Sequence, residues 1–198
     1  MRARTAPAAA AALSTTLALL VTAAPAPAQA QKMQPYEGFL CCSMLNYRGW
    51  ISDQNYDDGT QKIVPAGTPV KFTGFGRWRL QVEIGGAKVE IGNQYSRTMS
   101  MDEFALRYVA KEDPSLRMQA WPTRVREAIL ARKVMRGMTH EQVIMALGYP
   151  VTSYTPDLSK PLWVYNFRAG DFQVFWTDDG RLDRLFGVPE SRAKVFIE

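Results

Sequence analysis

Histidine and cysteine are nearly missing from this chain: 198 residues hold one histidine, His140, and two cysteines, Cys41 and Cys42, side by side. That scarcity closes off whole classes of chemistry. A structural zinc site needs four ligands at characteristic spacings, and these three residues supply neither. A cysteine nucleophile would have to use His140 as its base. That histidine opens a capped helix, where exposure is the default and the N-terminal dipole disfavours a charged imidazole. No other nucleophile and base fall at a useful spacing, so the residues point away from an enzyme. Adjacent cysteines also cannot join distant segments. In an oxidising compartment they form a vicinal disulfide, bond a second chain or stay buried and reduced, and the favoured reading is structural. Asp53, Asn55 and Asp57 alternate like calcium ligands, but Asp58 stands where the loop needs Gly and Val64 where it needs Glu. No cofactor or metal is expected.

A strong charge of either sign is missing as well. The formal net charge of +5 includes Arg2 and Arg4, which precede an Ala/Leu/Val run and a small-residue tail ending Ala28-Gln29-Ala30. Residues 1–30 therefore read as a secretory signal cleaved near Ala30, with a retained anchor as the alternative, because the run only just approaches the ~20 residues a span needs. No later segment is apolar enough to cross a membrane. Cys41 lies well past Ala30 and follows Phe39-Leu40, so lipidation there is not expected. The expected location is periplasmic or secreted, with any outer-membrane association made without a lipid. Export and a mild, scattered basic excess argue against nucleic acid as partner.

What remains is organised by turn residues and periodicity. Residues 31–113 read as a small β-rich domain with a closing helix. Its first part, to about Asp58, is aromatic and irregular. In "FGRWRLQVEIGGAKVEIG", Trp78, Leu80, Val82 and Ile84 alternate with Arg77, Arg79, Gln81 and Glu83, one face inward and one charged face outward. Gly85-Gly86 supplies the positive-φ pair of a tight hairpin. This stretch fits a small antiparallel sheet or an SH3-like barrel. The closing helix begins at Ser100, with Glu103 returning a bond to the Ser100 amide and Met99 stapled onto Phe104. Residues 114–122, within a two-proline stretch, read as a linker.

Residues 123–198 read as an α+β unit of two helices and a three-stranded antiparallel sheet. The first helix starts near Thr123 with Val125, Ala128 and Ile129 on one face, Arg132 and Lys133 near its end, and Gly137 as its left-handed stop. The second lies in "RGMTHEQVIMALGYP": Thr139 is the N-cap, Gln142 completes a capping box, Met138 staples onto Val143, and Gly148 and Pro150 end it. Eight residues make no stable helix alone, so Val143, Ile144 and Leu147 must dock on a sheet. "PLWVYNF" and "DFQVFWT" alternate as its strands, Asp179-Gly180 reads as a two-residue hairpin turn into Arg181 to Phe186, and "AKVFIE" as an edge strand or arm.

These residues together resemble the BamE/SmpA/OmlA domain of bacterial envelope proteins. Gly137, Met138, Thr139, Gln142, Val143, Leu147, Gly148, Pro150, Trp163, Tyr165, Trp176, Gly180 and Leu182 carry the likeness, over about Thr123 to Gly187. The resemblance implies a non-catalytic, periplasm-facing scaffold, related to outer-membrane assembly, on a fold also similar to the repeats of β-lactamase-inhibitor proteins. It implies an envelope protein as partner. Tyr149, Tyr154, Trp163 and Tyr165 are the candidate contacts on the aromatic sheet and the following loop. Arg77 and Arg79 are the candidates for a contact with anionic lipid or cell-wall polymer, the alternative reading of the first domain.

Overall fold

The computed structural model describes residues 33–55, 59–167 and 169–198. The expected signal, Asp57 and Asp58 of the polar turn, and Arg168 of the first hairpin connection lie outside the described residues. Met33–Glu198 form one compact unit. It is mixed α+β and holds two hydrophobic cores.

The first core lies in a curled eight-stranded sheet. Its strands are β1 (Tyr36–Leu40), β2 (Met44–Tyr47), β3 (Trp50–Ser52), β4 (Lys62–Val64), β5 (Pro69–Gly76), β6 (Arg79–Ile84) and β7 (Ala87–Gly92). After helix α1 (Met101–Tyr108) comes the short β8 (Val109–Ala110), and the order across the sheet is β4-β2-β3-β7-β6-β5-β1-β8. Alternation works as expected on β6 and β7: Leu80 faces Ile91 and Val82 faces Val89, all buried. Gly85 and Gly86, at φ 57° and 79°, make the tight turn between them. Trp78 departs from the expected inward face. The β5–β6 hairpin closes through Arg77 and Trp78, so the tryptophan sits in the turn and not on the strand. Helix α1 covers this core with Phe104, Ala105 and Tyr108, and its capping box of Ser100 and Glu103 is formed as the spacing predicts.

The second half runs α2 (Ser115–Met118), α3 (Thr123–Leu130), β9 (Val134–Met135), α4 (His140–Leu147), β10 (Leu162–Tyr165), β11 (Phe172–Trp176), β12 (Leu182–Gly187), α5 (Pro189–Val195) and β13 (Phe196–Ile197). Strands β10, β11 and β12 form the three-stranded antiparallel sheet, and β13 pairs in parallel with β9. The stretch 114–122 is folded, with Pro114 and Met118 buried.

Two stops differ from expectation. Helix α3 ends at Leu130, seven residues before Gly137, because Arg132 takes the left-handed position at φ 54°. The Arg132 and Lys133 amides then bond back to Ile129 and Ala128 oxygens at 3.0 and 2.8 Å, the Schellman pattern. The turn after β11 is also longer than two residues. The Gly180 amide bonds Thr177 oxygen at 2.9 Å, and only Gly180 (φ 72°) is left-handed there, so Asp178-Asp179-Gly180 forms a three-residue loop. The C-terminal stretch forms helix α5, with Pro189 in its first turn, before pairing as β13.

Helix α4 joins the two cores. Its capping box is present: Thr139 amide donates to Gln142 Oε1 at 2.9 Å and Gln142 amide to Thr139 Oγ1 at 3.3 Å. Burial runs around most of its girth, taking in Gln142, Val143, Met145, Ala146 and Leu147. The reason is that the first half supplies donors for its last turn. Ser43 amide bonds Met145 oxygen at 2.9 Å, and Asn55 Nδ2 bonds Leu147 oxygen at 2.7 Å. These are carbonyls that a helix end leaves without partners inside the helix.

Candidate interaction surface

Three loops are tied together at one end of the interior strands β5, β6 and β7 of the first sheet. The Arg77–Trp78 turn holds the 93–98 loop through a bond from Asn93 amide to Trp78 oxygen, 2.9 Å. That loop in turn holds the 151–155 loop, with Ser153 amide on Tyr95 oxygen at 3.1 Å, Thr152 amide on Ser96 Oγ at 3.2 Å, and the Thr98 and Thr152 hydroxyls 2.8 Å apart. Asp53, wholly buried, anchors the middle: its Oδ2 accepts from the Tyr95 and Ser96 amides at 2.9 and 3.0 Å. Burial raises the Asp53 pKa despite these bonds.

On this platform stand three exposed rings, Trp78, Tyr95 and Tyr154, at 42, 40 and 46% exposure. The exposed Arg97 lies over Trp78, its guanidinium carbon 5.4 Å from the ring centroid. Arg77 is exposed beside it, and among the described residues neither arginine makes an ion pair. Trp78 has φ 57° at the second central position of its turn, where Gly or Asn belongs. A side chain in that region costs ~1–2 kcal/mol. Backbone strain of this kind clusters at functional sites, and here it holds a large apolar ring outward. Tryptophan, tyrosine and arginine are also the residues that dominate protein–protein contacts.

The residues singled out from the sequence divide sharply. Tyr154 and Arg77 belong to this surface. Arg79 does not act as a free cation, since its Nη1 pairs with Glu90 at 2.8 Å and its guanidinium lies over the Trp50 ring. Tyr149 is half-buried at the seam, 6.0 Å from Tyr108 and under Arg107, and burial raises its pKa. Trp163 and Tyr165 are core residues and cannot meet a partner. Trp163 is fully buried with Nε1 donating to Leu158 oxygen at 3.1 Å, and Tyr165 donates to Gly148 oxygen at 3.0 Å. Alternation groups these rings on one face of β10 without saying which face helix α4 covers. Sequence reasoning missed Tyr95, Arg97 and the turn position of Trp78. Gly74 and Gly76 ahead of Trp78 were the available turn signal.

His140 and the cysteines belong to different cores. The imidazole is packed between Trp163 and Trp176, at centroid distances of 4.7 and 4.0 Å, and loss of solvent lowers its pKa. Cys41 and Cys42 are joined as a vicinal disulfide buried in the first core, with Cys42 Sγ 3.7 Å from Met44 Sδ. Among the described residues no group of three or more His, Cys, Asp or Glu is placed to hold a metal ion, and no helix is long and apolar enough to cross a membrane. No protein-family model, curated protein or solved structure matches the chain.

Proposed function

We propose that this chain is a non-catalytic periplasmic envelope protein, a scaffold that binds another envelope protein in outer-membrane assembly or envelope maintenance. The observation that carries the reading is the Trp78, Tyr95 and Tyr154 platform with Arg77 and Arg97, an aromatic and basic surface braced from beneath by Asp53. A likeness of residues 123–187 to the BamE/SmpA/OmlA domain is part of the proposal, as is an SH3-like reading of the first sheet. The former is supported by the roles of the matched residues: Thr139 and Gln142 cap α4, Gly148 ends it, and Trp163, Tyr165 and Trp176 fill the core beneath it. Location rests on the signal-like residues 1–30.

The test is a photo-crosslinking residue in place of Tyr154 in growing cells. The expected result is a discrete adduct with one envelope protein, lost on Trp78→Ala or Tyr95→Ala, each worth about 2 kcal/mol of binding if these rings are the anchors. Recovery of no specific adduct would sink the reading. Arg77 and Arg97, without acidic partners among the described residues, favour contact with anionic lipid or cell wall as the second reading. Binding to phosphatidylglycerol vesicles or to sacculi, abolished by Arg77→Glu with Arg97→Glu and unaccompanied by a protein adduct, would favour that alternative.

A further inference from the structure

Outside that surface, the second half holds an open groove of about 480 Å³, within the size range of ligand sites. It shares no residue with the aromatic platform. Its apolar lining comes from Met135 and Leu185, both buried, and from the half-buried Phe196 and Ile197. Four arginines line it as well, Arg124, Arg136, Arg184 and Arg192, against two acids, Asp183 and Glu198. Asp183 is shared by Arg136 and Arg184 at 3.2 and 3.1 Å, and Arg192 holds Glu198 at 2.7 Å. Arg124 makes no ion pair among the described residues, and the lining side chains carry two more positive charges than negative ones beside an apolar surface.

Backbone is exposed there too. Strand β12 is the last strand of its sheet and β13 the last of its own, and residues of both line the groove. Arg136 Nε donates to Asp183 oxygen at 2.8 Å, and beyond that bond and those that Leu182 exchanges with Gly137 and Met138, no strand among the described residues pairs with the outer side of β12. A sheet edge left open in this way accepts an extended chain by main-chain hydrogen bonding, with side-chain sites alternating along it. The arginines select the charge of that chain, since guanidinium grips carboxylate in two parallel bonds.

We propose that this groove takes an extended, carboxylate-bearing segment of a partner polypeptide, laid along the free edge of β12. Apolar residues of the segment rest on Leu185 and Phe196, and its carboxylates meet Arg124 and Arg184. This is a second contact, and it stands whether or not the aromatic platform binds a protein.

The probe is a blocked, fluorescent octapeptide alternating valine and glutamate, measured by anisotropy against the purified protein. Binding is expected to weaken at least tenfold on Arg124→Glu, a substitution that breaks no ion pair and leaves the fold intact. It is also expected to weaken tenfold when alternate peptide amides are N-methylated, and to be unchanged in the Trp78→Ala, Tyr154→Ala variant. Equal binding of a valine–lysine peptide would overturn the proposal, as would indifference to Arg124→Glu or to N-methylation. Displacement of the peptide by decanoate, with decanoate the tighter ligand, would assign the groove to a lipid-like anion and overturn it too.

Discussion

His140 shows how a single residue can look catalytic and be structural. The chain's one histidine is enclosed by two tryptophan rings, and the desolvation that lowers its pKa comes from that packing. Its proton NMR titration is unambiguous because no other histidine competes, and the midpoint is expected below 6.5, the ordinary value. The unfolded chain then binds the extra proton first. This contribution to stability is therefore complete above pH 6.5 and lost as pH falls through the folded midpoint. A midpoint at or above 6.5 would mean that the ring is not enclosed. Asp53 has the opposite sign. Burial raises its folded pKa above 3.8, so its stabilising contribution is full below that value and lost as pH rises through the folded pKa. Asp53→Asn keeps an oxygen for the Tyr95 and Ser96 amides while removing the charge. Urea titrations of both proteins across pH 3 to 7 are expected to show Asn gaining on Asp as pH rises. A constant difference would show that the carboxyl does not titrate abnormally.

At the scale of elements, α4 ties local sequence signals to long-range contacts. Thr139→Ala removes the acceptor for the Gln142 amide and is expected to cost about 1 kcal/mol in chemical denaturation. Gly148→Ala is expected to cost more, about 2 kcal/mol, for two reasons that add. Gly148 sits at φ 84°, and a Cβ there would meet Asn55 Nδ2 at 3.0 Å and Met44 Sδ at 3.4 Å, displacing the bond that holds Leu147 oxygen. If Gly148→Ala proves the milder of the two, the packing of α4 against the first half is wrong. The same helix marks how far the sequence could be read. The capping boxes of α1 and α4 and the strands β10, β11 and β12 were legible, because each is specified by residues within a few positions of one another. Strands β1, β8 and β9 were not. Two of these are partners separated by some seventy residues, as Phe39 with Ala110, and a two-residue strand has no period to detect. Arg132 in a left-handed position was also hidden, since propensity assigns that place to glycine. Its side chain makes up part of the difference by donating to Asn55 oxygen at 2.9 Å. Of the platform, Arg77 and Tyr154 were legible as exposed residues, while its assembly from three loops depends on tertiary bonds that no periodicity encodes.

For the whole molecule the question is whether the two cores behave as two domains. Each has its own sheet, and apart from Ala66 the buried members of the two cores divide in sequence between Val109 and Met118. The seam is not a loose surface, however. Asn55, buried, accepts from the Leu45 amide at 2.8 Å and donates to Ser43 and Leu147 oxygens, so one side chain bonds both sides. Arg132 of the second half reaches Asn55 oxygen, Ser43 amide closes the last turn of α4, and the 93–98 and 151–155 loops share backbone bonds. Cutting at the seam would leave the Met145 and Leu147 carbonyls without the donors that Ser43 and Asn55 supply. Each lost buried bond costs ~1–3 kcal/mol, and the total stability of a domain is only ~5–15 kcal/mol. Calorimetry of the intact protein is therefore expected to show one transition, with calorimetric and van't Hoff enthalpies equal. Asn55→Ala is expected to lower its midpoint without splitting it. A fragment of residues 123–198 is expected to lack a cooperative transition, even though it contains the whole of the sequence that first looked like a domain. If that fragment instead gave a dispersed amide spectrum and unfolded at the midpoint of the intact protein, the seam would be an interface between two independent domains, and the bonds at Asn55 would contribute orientation alone.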